Sequence, residues 1–256
     1  RWRDRDDGCC DCHDQDGQGE GGGAAIMNAI IDTPSPNFDE RVLPITMVVL
    51  HYTGMPDAAS AIARLSDPEA KVSAHYVVAE DGQVVRMVDE SKRAWHAGKS
   101  FWRGVTDVNS ASVGIEIVNP GHEFGYRPFP IAQIDAVIGL MHEVTLRHRI
   151  TRGNVVGHSD IAPARKDDPG ELFPWDRLAR LRLALPSPTK NLMDPHWTDA
   201  GFLLALERFG YDVTDSLAAV RAFQRRFRPA TIDGIIDGEC RAKLLALLLP
   251  RPMGDD

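Results

Sequence analysis

Hydrophobic and polar positions along this chain alternate in patterns that predict several strands. Nearly continuous apolar runs at residues 45–52 and 155–156 are typical of strands buried on both faces of a sheet. Shorter runs predict further strands at 72–78, 84–88 and 112–118, the first two joined by an Asp-Gly turn. A sheet buried on both faces needs helices on either side.

Helical periodicity supplies those helices. Asp57 is placed to cap a short helix that ends near Leu65, and residues 172–185 predict another helix. Between them, Pro130 opens a long amphipathic pattern with apolar residues at Ile134, Val137, Ile138, Met141 and Val144. We therefore predict the α/β class, with a mixed central β-sheet flanked by helices, and a small C-terminal three-helix domain.

The boundaries of that second domain follow from proline and from three short helical patterns. Pro186 and Pro188 begin a predicted linker at 186–198, and helical patterns follow at 199–209, 215–227 and 238–249. Residues 27–185 should then form the catalytic domain and 199–256 the helical one. On this division, truncation after Leu185 should leave turnover of small soluble substrates nearly unchanged.

Residues 1–26 have a different composition. They are polar and glycine-rich, carry a net charge of −4, and precede Met27, which looks like a natural start. We expect a disordered or non-native tail without a secretory signal. Its cysteines could bind a metal together with a histidine, but an unstructured acidic tail is favoured; these residues are Cys9, Cys10, Cys12 and His13.

The overall composition narrows the function. The chain has 256 residues, 43% of them hydrophobic and 26% charged, as in ordinary globular proteins. Its net charge of −8 argues against nucleic-acid binding. The sequence contains no apolar run of the ~18 residues that a membrane-spanning helix needs.

The candidate chemistry centres on residues 155–171, where an apolar strand ends at His158 and a loop rich in proline, glycine and charge follows. Asp168 lies ten positions after His158, and His51 ends another buried strand. Two imidazoles, a carboxylate and an open fourth position form a catalytic zinc set. Taken alone, a histidine at a strand end is more often a hydrogen-bonded core residue.

Hydrolysis of an amide also requires a base and a group that stabilises the oxyanion. Glu116 lies inside a predicted strand, where a carboxylate is unfavourable unless it has a function, and we predict that it is the base. Lys166 lies two residues before Asp168 and is predicted to stabilise developing negative charge. The alternative for Glu116 is an ion pair with a surface cation.

Five sequence blocks resemble the zinc-dependent N-acetylmuramoyl-L-alanine amidases of type 2, which are related to the peptidoglycan recognition proteins. The blocks are Val-Val-Leu-His-Tyr-Thr around His51, Val-Ser-Ala-His-Tyr-Val-Val around His75, Arg-Ala-Trp-His-Ala-Gly at 93–98, Ser-Val-Gly-Ile-Glu-Ile at 112–117 and Gly-His-Ser-Asp-Ile-Ala-Pro-Ala-Arg-Lys-Asp-Asp-Pro-Gly at 157–170. The resemblance assigns zinc to His51, His158 and Asp168, and catalysis to Glu116 and Lys166. It further implies a substrate groove, whose predicted residues are Trp95, His96, Arg165 and His75.

The resemblance has one departure and one extension. Phage enzymes of this kind have a tyrosine where this chain has Ala74, so the assisting groups should be Glu116 and Lys166, as in the bacterial enzymes. Residues 220–227, followed by Ile-Asp-Gly at 232–234, resemble a three-helix peptidoglycan-binding module. We attribute Asp233 and Asp237 to turns rather than to calcium binding.

The predicted function is hydrolysis of the amide between N-acetylmuramic acid and L-alanine in peptidoglycan or muropeptides, by a monomer. Two alternatives are a non-catalytic muropeptide-binding protein on the same fold and a zinc hydrolase that acts on another amide. The compartment stays open: the lack of a signal favours the cytoplasm, and a wall-binding module favours the periplasm.

Overall fold

The computed structural model describes residues 29–190 and 192–249. The predictions about the tail, including its cysteines and Met27, lie outside this range. Within it the strands are β1 (Ile31–Asp32), β2 (Phe38–Glu40), β3 (Met47–Tyr52), β4 (Tyr76–Val78), β5 (Val84–Arg86), β6 (Lys92–Ala94), β7 (Ser112–Ile117) and β8 (Val155–Gly157).

Six of these strands form one sheet in the order β1-β5-β4-β7-β3-β8. The four neighbours β4, β7, β3 and β8 run parallel, whereas β4 and β5 are antiparallel. The remaining strands, β2 and β6, pair with each other. The predicted mixed sheet is therefore confirmed.

Helices cover both faces of this sheet, and more lie beyond it in the C-terminal part. They are α1 (Ala58–Ser66), α2 (Val108–Ala111), α3 (Gly121–Phe124), α4 (Ile131–His148), α5 (His158–Ile161), α6 (Trp175–Arg180), α7 (Asp199–Phe209), α8 (Ser216–Phe227) and α9 (Gly238–Leu248). Asp57 caps α1 through the backbone N–H of Ser60, as its position in the sequence predicts.

Two predicted elements form over less than half of their predicted length. The helix predicted at 172–185 is reduced to α6, because Pro174 stands at its N-cap and Arg182 adopts a positive φ of 61° just beyond its end. Of the strand predicted at 72–78, only β4 forms. The N–H groups of Ser73 and His75 donate instead to Trp95 and Gly114, which belong to different parts of the fold.

Side-chain alternation along the strands divides the sheet into two faces. We call back face the one that carries Val48 and Leu50 of β3, and front face the one that carries Met47 and Val49. The back face packs in one apolar cluster with the buried side of α4. The front face packs against α1 at the β4 end, and against the C-terminal helices near β3 and β8.

The C-terminal helices α7, α8 and α9 lie where the sequence predicted helices. Phe202 and Leu206 of α7 and Phe223 of α8 share one buried cluster with Met47 and Val49 of the sheet. The domain boundary at 186–198 remains a prediction, and the described part of that segment has no helix or strand. Within residues 29–190 and 192–249, no helix is long and apolar enough to cross a membrane.

Candidate metal centre and active site

The carboxyl ends of β7, β3 and β8 meet at one edge of the front face. His51 is on β3, on the same face as Met47 and Val49, and pairs in register with Glu116 of β7. His158 directly follows the last residue of β8. Ligands of open α/β sheets bind outside the carboxyl ends of the strands, so this edge is the expected place for a site.

The loop after His158 returns Asp168 to the two histidines. The N–H of Ser159 donates to the carbonyl of Asp168 at 2.8 Å and closes the loop onto its own start. Gly157 permits this approach, because a Cβ there would lie 2.7 Å from Cδ of Pro169. The predicted meeting of a strand-end histidine and a carboxylate ten residues later is thus present in the structure.

The three predicted metal ligands form a tight triangle. Nδ1 of His51 lies 2.9 Å from Nδ1 of His158 and 3.0 Å from Oδ2 of Asp168, and the third side measures 3.1 Å. All three residues are at most 5% exposed. A tetrahedral zinc ion with bonds near ~2.05 Å has ligand atoms about 3.3 Å apart, close to these distances. This group can hold one metal ion.

Hydrogen bonding assigns the tautomer of His51. The hydroxyl of Ser112 donates to the carbonyl of Val108 at 2.6 Å, so its oxygen accepts the Nε2 proton of His96 at 3.3 Å. Nδ1 of His96 then accepts from Nε2 of His51 at 3.0 Å. The remaining Nδ1 of His51 carries a lone pair and points at Asp168.

A single hydrogen bond outside the triangle orients His158. Its Nε2 donates to the carbonyl of Ala97 at 3.1 Å, which leaves Nδ1 with a lone pair. Two lone pairs and a carboxylate oxygen within about 3 Å repel one another, and a cation between them removes that repulsion. Such outer hydrogen bonds are the usual way in which proteins orient metal-binding histidines.

The charges of the group agree with metal binding. Burial and the neighbouring His158 lower the pKa of His51 to about 4, so its imidazole is neutral at pH 7. Although burial opposes it, contact with His158 and His51 holds the pKa of Asp168 below its ordinary range. The site therefore offers the neutral imidazole of His51 and the anionic carboxylate of Asp168 beside Nδ1 of His158.

Glu116 lies in the wall of the same cavity. Its Oε2 is shielded from solvent and has no hydrogen-bond partner. Burial and the nearby Asp168 raise the pKa of Glu116 well above its ordinary value, and Lys166 partly offsets this rise. A carboxyl group whose pKa is raised towards neutrality is suited to proton transfer.

Most of the predicted groove residues line one cavity of about 380 Å³ on the front face, between α1 and the loop that follows α5. The indole of Trp95 donates to Asp39 at 2.7 Å, and the guanidinium of Arg165 donates to the carbonyl of Ala97 at 3.1 Å. Lys166 is exposed in the cavity wall. His96 both lines the cavity and supports His51.

His75 is the exception and corrects the prediction. Its side chain is completely buried, does not line the cavity and lies behind His96, with 5.7 Å between the ring centroids. Its Nδ1 accepts from the N–H of Gly114, and its Nε2 faces Arg41 and the carbonyl of Lys92. A ring enclosed in this way cannot contact substrate, so His75 supports the fold beneath the site.

Several residues around the site were not predicted. A Cβ on Gly114 would lie 2.4 Å from Cγ of His96, so only glycine leaves room for that ring. A glycine inside an alternating strand is a known sign of such close approach. The opposite rim of the cavity contains Tyr52, His122 and Phe124, for which the sequence offered no distinct signal.

Fold and site together define a class of protein. An α/β sheet with a His–His–Asp group at its strand ends, beside a carboxyl group of raised pKa and a lysine, is the arrangement of a hydrolase. The model of the N-acetylmuramoyl-L-alanine amidase family matches residues 41–171, more than half of the chain. The chain belongs to this family, and the predicted enzyme class is confirmed.

Individual relatives extend the match. N-acetylmuramoyl-L-alanine amidase AmiD of Escherichia coli is 38% identical over 80% of this chain and 82% of its own. The structure of AmiD from E. coli with anhydro-N-acetylmuramic acid-L-Ala-D-gamma-Glu-L-Lys superimposes with a TM-score of 0.72, at 37% identity, over 80% of this chain and 88% of that one. AmpDh3 from Pseudomonas aeruginosa with anhydromuramic pentapeptide gives a TM-score of 0.70 at 31% identity, over 84% and 96%.

Proposed function

We propose that this amidase hydrolyses the bond between N-acetylmuramic acid and L-alanine with one Zn²⁺ held by His51, His158 and Asp168. The observation that carries the proposal is the triangle of two histidine nitrogens and one carboxylate oxygen. The donor set fits zinc, which prefers imidazole and carboxylate ligands and keeps one position open in catalytic sites. Bound zinc would lower the pKa of water to about 7 and polarise the amide carbonyl.

Glu116 is the proposed proton carrier. Its carboxylate takes a proton from the attacking water and passes it to the departing amine. The raised pKa makes the Glu116 carboxylate a stronger base than an ordinary glutamate, so it accepts the proton of water more readily. Proton transfer of this kind contributes about 10²- to 10⁴-fold to the rate.

Lys166 is the proposed stabiliser of negative charge. It lies in the same cavity wall as Glu116, and its positive charge acts on the pKa of both Glu116 and His51. An ammonium group at this place is well positioned to stabilise the oxyanion that develops on the carbonyl oxygen. Removal of such a group costs about 10²- to 10³-fold in kcat.

Muropeptide fragments are the proposed substrates. AmiD and AmpDh3 have been crystallised with anhydromuramic peptides, which supports the same substrate class here. The indole of Trp95 offers an apolar face for a sugar ring, and the cations Arg64 and Arg165 line the same cavity. They are placed to attract the carboxylates of a stem peptide.

The C-terminal helices are the proposed peptidoglycan-binding module. Leu217 in the first turn of α8 and Ile235 in the loop before α9 are 49% and 62% exposed. Binding to polymer would raise the local concentration of the active site without altering the chemical step. Leu217→Asp should weaken action on insoluble sacculi and spare soluble muropeptides. Leu146→Asp, at an 81% exposed leucine of α4, is the matched control.

The metal content of the purified protein tests the main proposal. We expect about one zinc ion per chain and loss of most of it in His158→Ala, because a three-ligand site does not survive with two. His142→Ala removes an exposed histidine of α4 and should retain the metal. Full zinc retention in the alanine variants of His51, His158 and Asp168 would contradict the assignment.

A further inference from the structure

The loop between His158 and Asp168 is held from outside by the C-terminal helices. Asp160, two residues after His158, is 2% exposed and uses both carboxylate oxygens. Its Oδ2 accepts from the N–H of Gly157 at 2.8 Å, which fixes the peptide between Val156 and Gly157, one residue before His158. Its Oδ1 accepts from the hydroxyl of Tyr211 at 2.6 Å, across 51 positions of sequence.

Tyr211 is itself rigidly packed. It follows α7, is completely buried, and lies at 5.2 Å between ring centroids from Trp102 and 6.4 Å from Phe223. Contacts with these two rings restrict movement of the buried tyrosine ring. The hydrogen bond to Asp160 therefore transmits the position of the helical part to the loop.

Two arginines of α8 hold the same loop. Arg226 is buried, stacks on Trp175 with its guanidinium carbon 3.1 Å from the ring centre, and lies 4.0 Å from Oδ2 of Asp160. Arg225 pairs with Asp167 at 2.6 Å, next to the predicted ligand Asp168. Both ends of the loop are thus anchored to one helix.

We infer that Tyr211 is a positioning residue for the amidase, acting through Asp160 on the orientation of His158. The inference rests on the proposed metal site and gives the C-terminal helices a part in building that site. Without the hydroxyl, one oxygen of a buried carboxylate loses its partner, and Asp160 turns to seek another. The hydrogen bond from the N–H of Gly157 to Asp160 then weakens, and Nδ1 of His158 is no longer held at its position in the triangle.

Metal affinity of Tyr211→Phe tests the inference. The variant removes the hydroxyl and keeps the ring in the core. We expect affinity for Zn²⁺, measured against a competing chelator, to fall about 10- to 100-fold, as is typical when an outer partner of a metal ligand is removed. Excess Zn²⁺ should restore most of kcat with KM unchanged. The absorption spectrum of the Co²⁺-loaded variant should also show altered coordination.

Phe202→Leu is the control, because it disturbs the buried core of the same helices and removes none of the polar groups that hold the loop. It should lower the melting temperature and leave metal affinity at the wild-type value. Equal metal affinity of wild type and Tyr211→Phe would overturn the inference. An equal loss in Phe202→Leu would overturn it too, since general destabilisation would then suffice.

Two further variants keep the test decisive. If Tyr211→Phe does not fold, Arg225→Gln takes its place at the other end of the loop, with the same expected loss of affinity and the same control.

In an Asp160→Asn background, Tyr211→Phe should cause little further loss of metal affinity, because the two residues act in series. Fully additive losses would contradict a route through Asp160. A wild-type chain that binds neither Zn²⁺ nor Co²⁺ would refute the metal proposal itself.

Discussion

The back and front faces of the central sheet differ in what covers them. The back face is apolar along β3 and β7 and packs against α4 and α6, which lie on either side of β8 in sequence. The front face is apolar where Met47 and Val49 of β3 meet helices from the far end of the chain, and where Val77 of β4 meets α1. At the carboxyl ends of β3 and β7 it carries His51 and Glu116.

This contrast shows how the sheet combines stability with chemistry. The polar end of the front face buries groups that raise the free energy of the folded state, Glu116 above all. The apolar contacts of the back face and of the C-terminal helices offset that cost. The front face therefore depends on α7 and α8 near the far end of the chain, whereas the back face depends on α4 and α6, which flank β8.

Removal of the C-terminal helices should have the largest effect. This replaces the nearly unchanged turnover expected from the sequence, because the helices share a buried cluster with the sheet. Truncation after Leu185 uncovers Met47, Val49, Trp102 and Val156, all at most 2% exposed in the full chain. Each large side chain contributes about 1.5–3 kcal/mol through burial, against a total stability of about 5–15 kcal/mol. We expect the truncated protein to lose its cooperative thermal transition, measured by circular dichroism. Truncation after Leu249 is the control, and a folded, fully active 27–185 fragment would refute the shared core.

A cavity in the back face should lower the free energy of unfolding without changing metal affinity. Leu140 of α4 is 1% exposed in the cluster behind the sheet. Leu140→Ala should cost about 2–5 kcal/mol of unfolding free energy, measured by urea denaturation. Its affinity for Zn²⁺ below the transition should equal that of wild type. A parallel loss of metal affinity would show that the two faces are coupled.

A methyl group added to the front face should lower metal affinity rather than stability. In Gly114→Ala the new Cβ meets the ring of His96 at 2.4 Å, so the ring must move and its bond to His51 weakens. We expect zinc affinity to fall by about 10-fold, measured by chelator competition. Gly201→Ala, where the nearest atom is 3.4 Å away, should show no change. Unchanged affinity in Gly114→Ala would remove His96 from the support of the metal site.

The smallest expected effect concerns Glu116 and pH. The pKa of Glu116 is raised in the folded state. Ionisation of this carboxyl group therefore destabilises the metal-free folded protein at pH values above the ordinary pKa of 4.5. Below that pH both the folded and unfolded states are protonated and the penalty vanishes. Glu116→Gln should therefore melt at a higher temperature than wild type near neutral pH, in the presence of chelator. The two melting temperatures should converge in acid; a constant difference across pH would contradict the pKa shift.

Much of the fold and site was predictable because local patterns carried it. The apolar runs ending in His51 and His158 predicted buried strands, each with a histidine at its end. Asp57 and Pro130 marked the starts of α1 and α4. These signals depend on neighbours in sequence, which is why they could be interpreted without a structure.

The parts that could not be predicted depend on contacts distant in sequence. His75 and His96 both occur in matching motifs, but only the packing of Arg41 and Gly114 around the first decides that it is enclosed. Similarly, prolines near residue 186 predicted a linker. Nothing local to that segment reveals that Phe202 and Tyr211 pack against the sheet.

The most direct test of the account is product analysis with metal-loaded protein. Wild type, supplied with one equivalent of Zn²⁺, should convert anhydro-N-acetylmuramyl peptides to free peptide and anhydro-N-acetylmuramic acid, identified by mass. Chelated protein should be inactive until Zn²⁺ is restored. Glu116→Gln should hold the same metal yet form product at least about 10²-fold more slowly, with exposed Glu143→Gln as control. Product formation at the wild-type rate by the chelated protein or by Glu116→Gln would contradict the proposed chemistry. Binding of the peptides without any cleavage would identify a non-catalytic receptor.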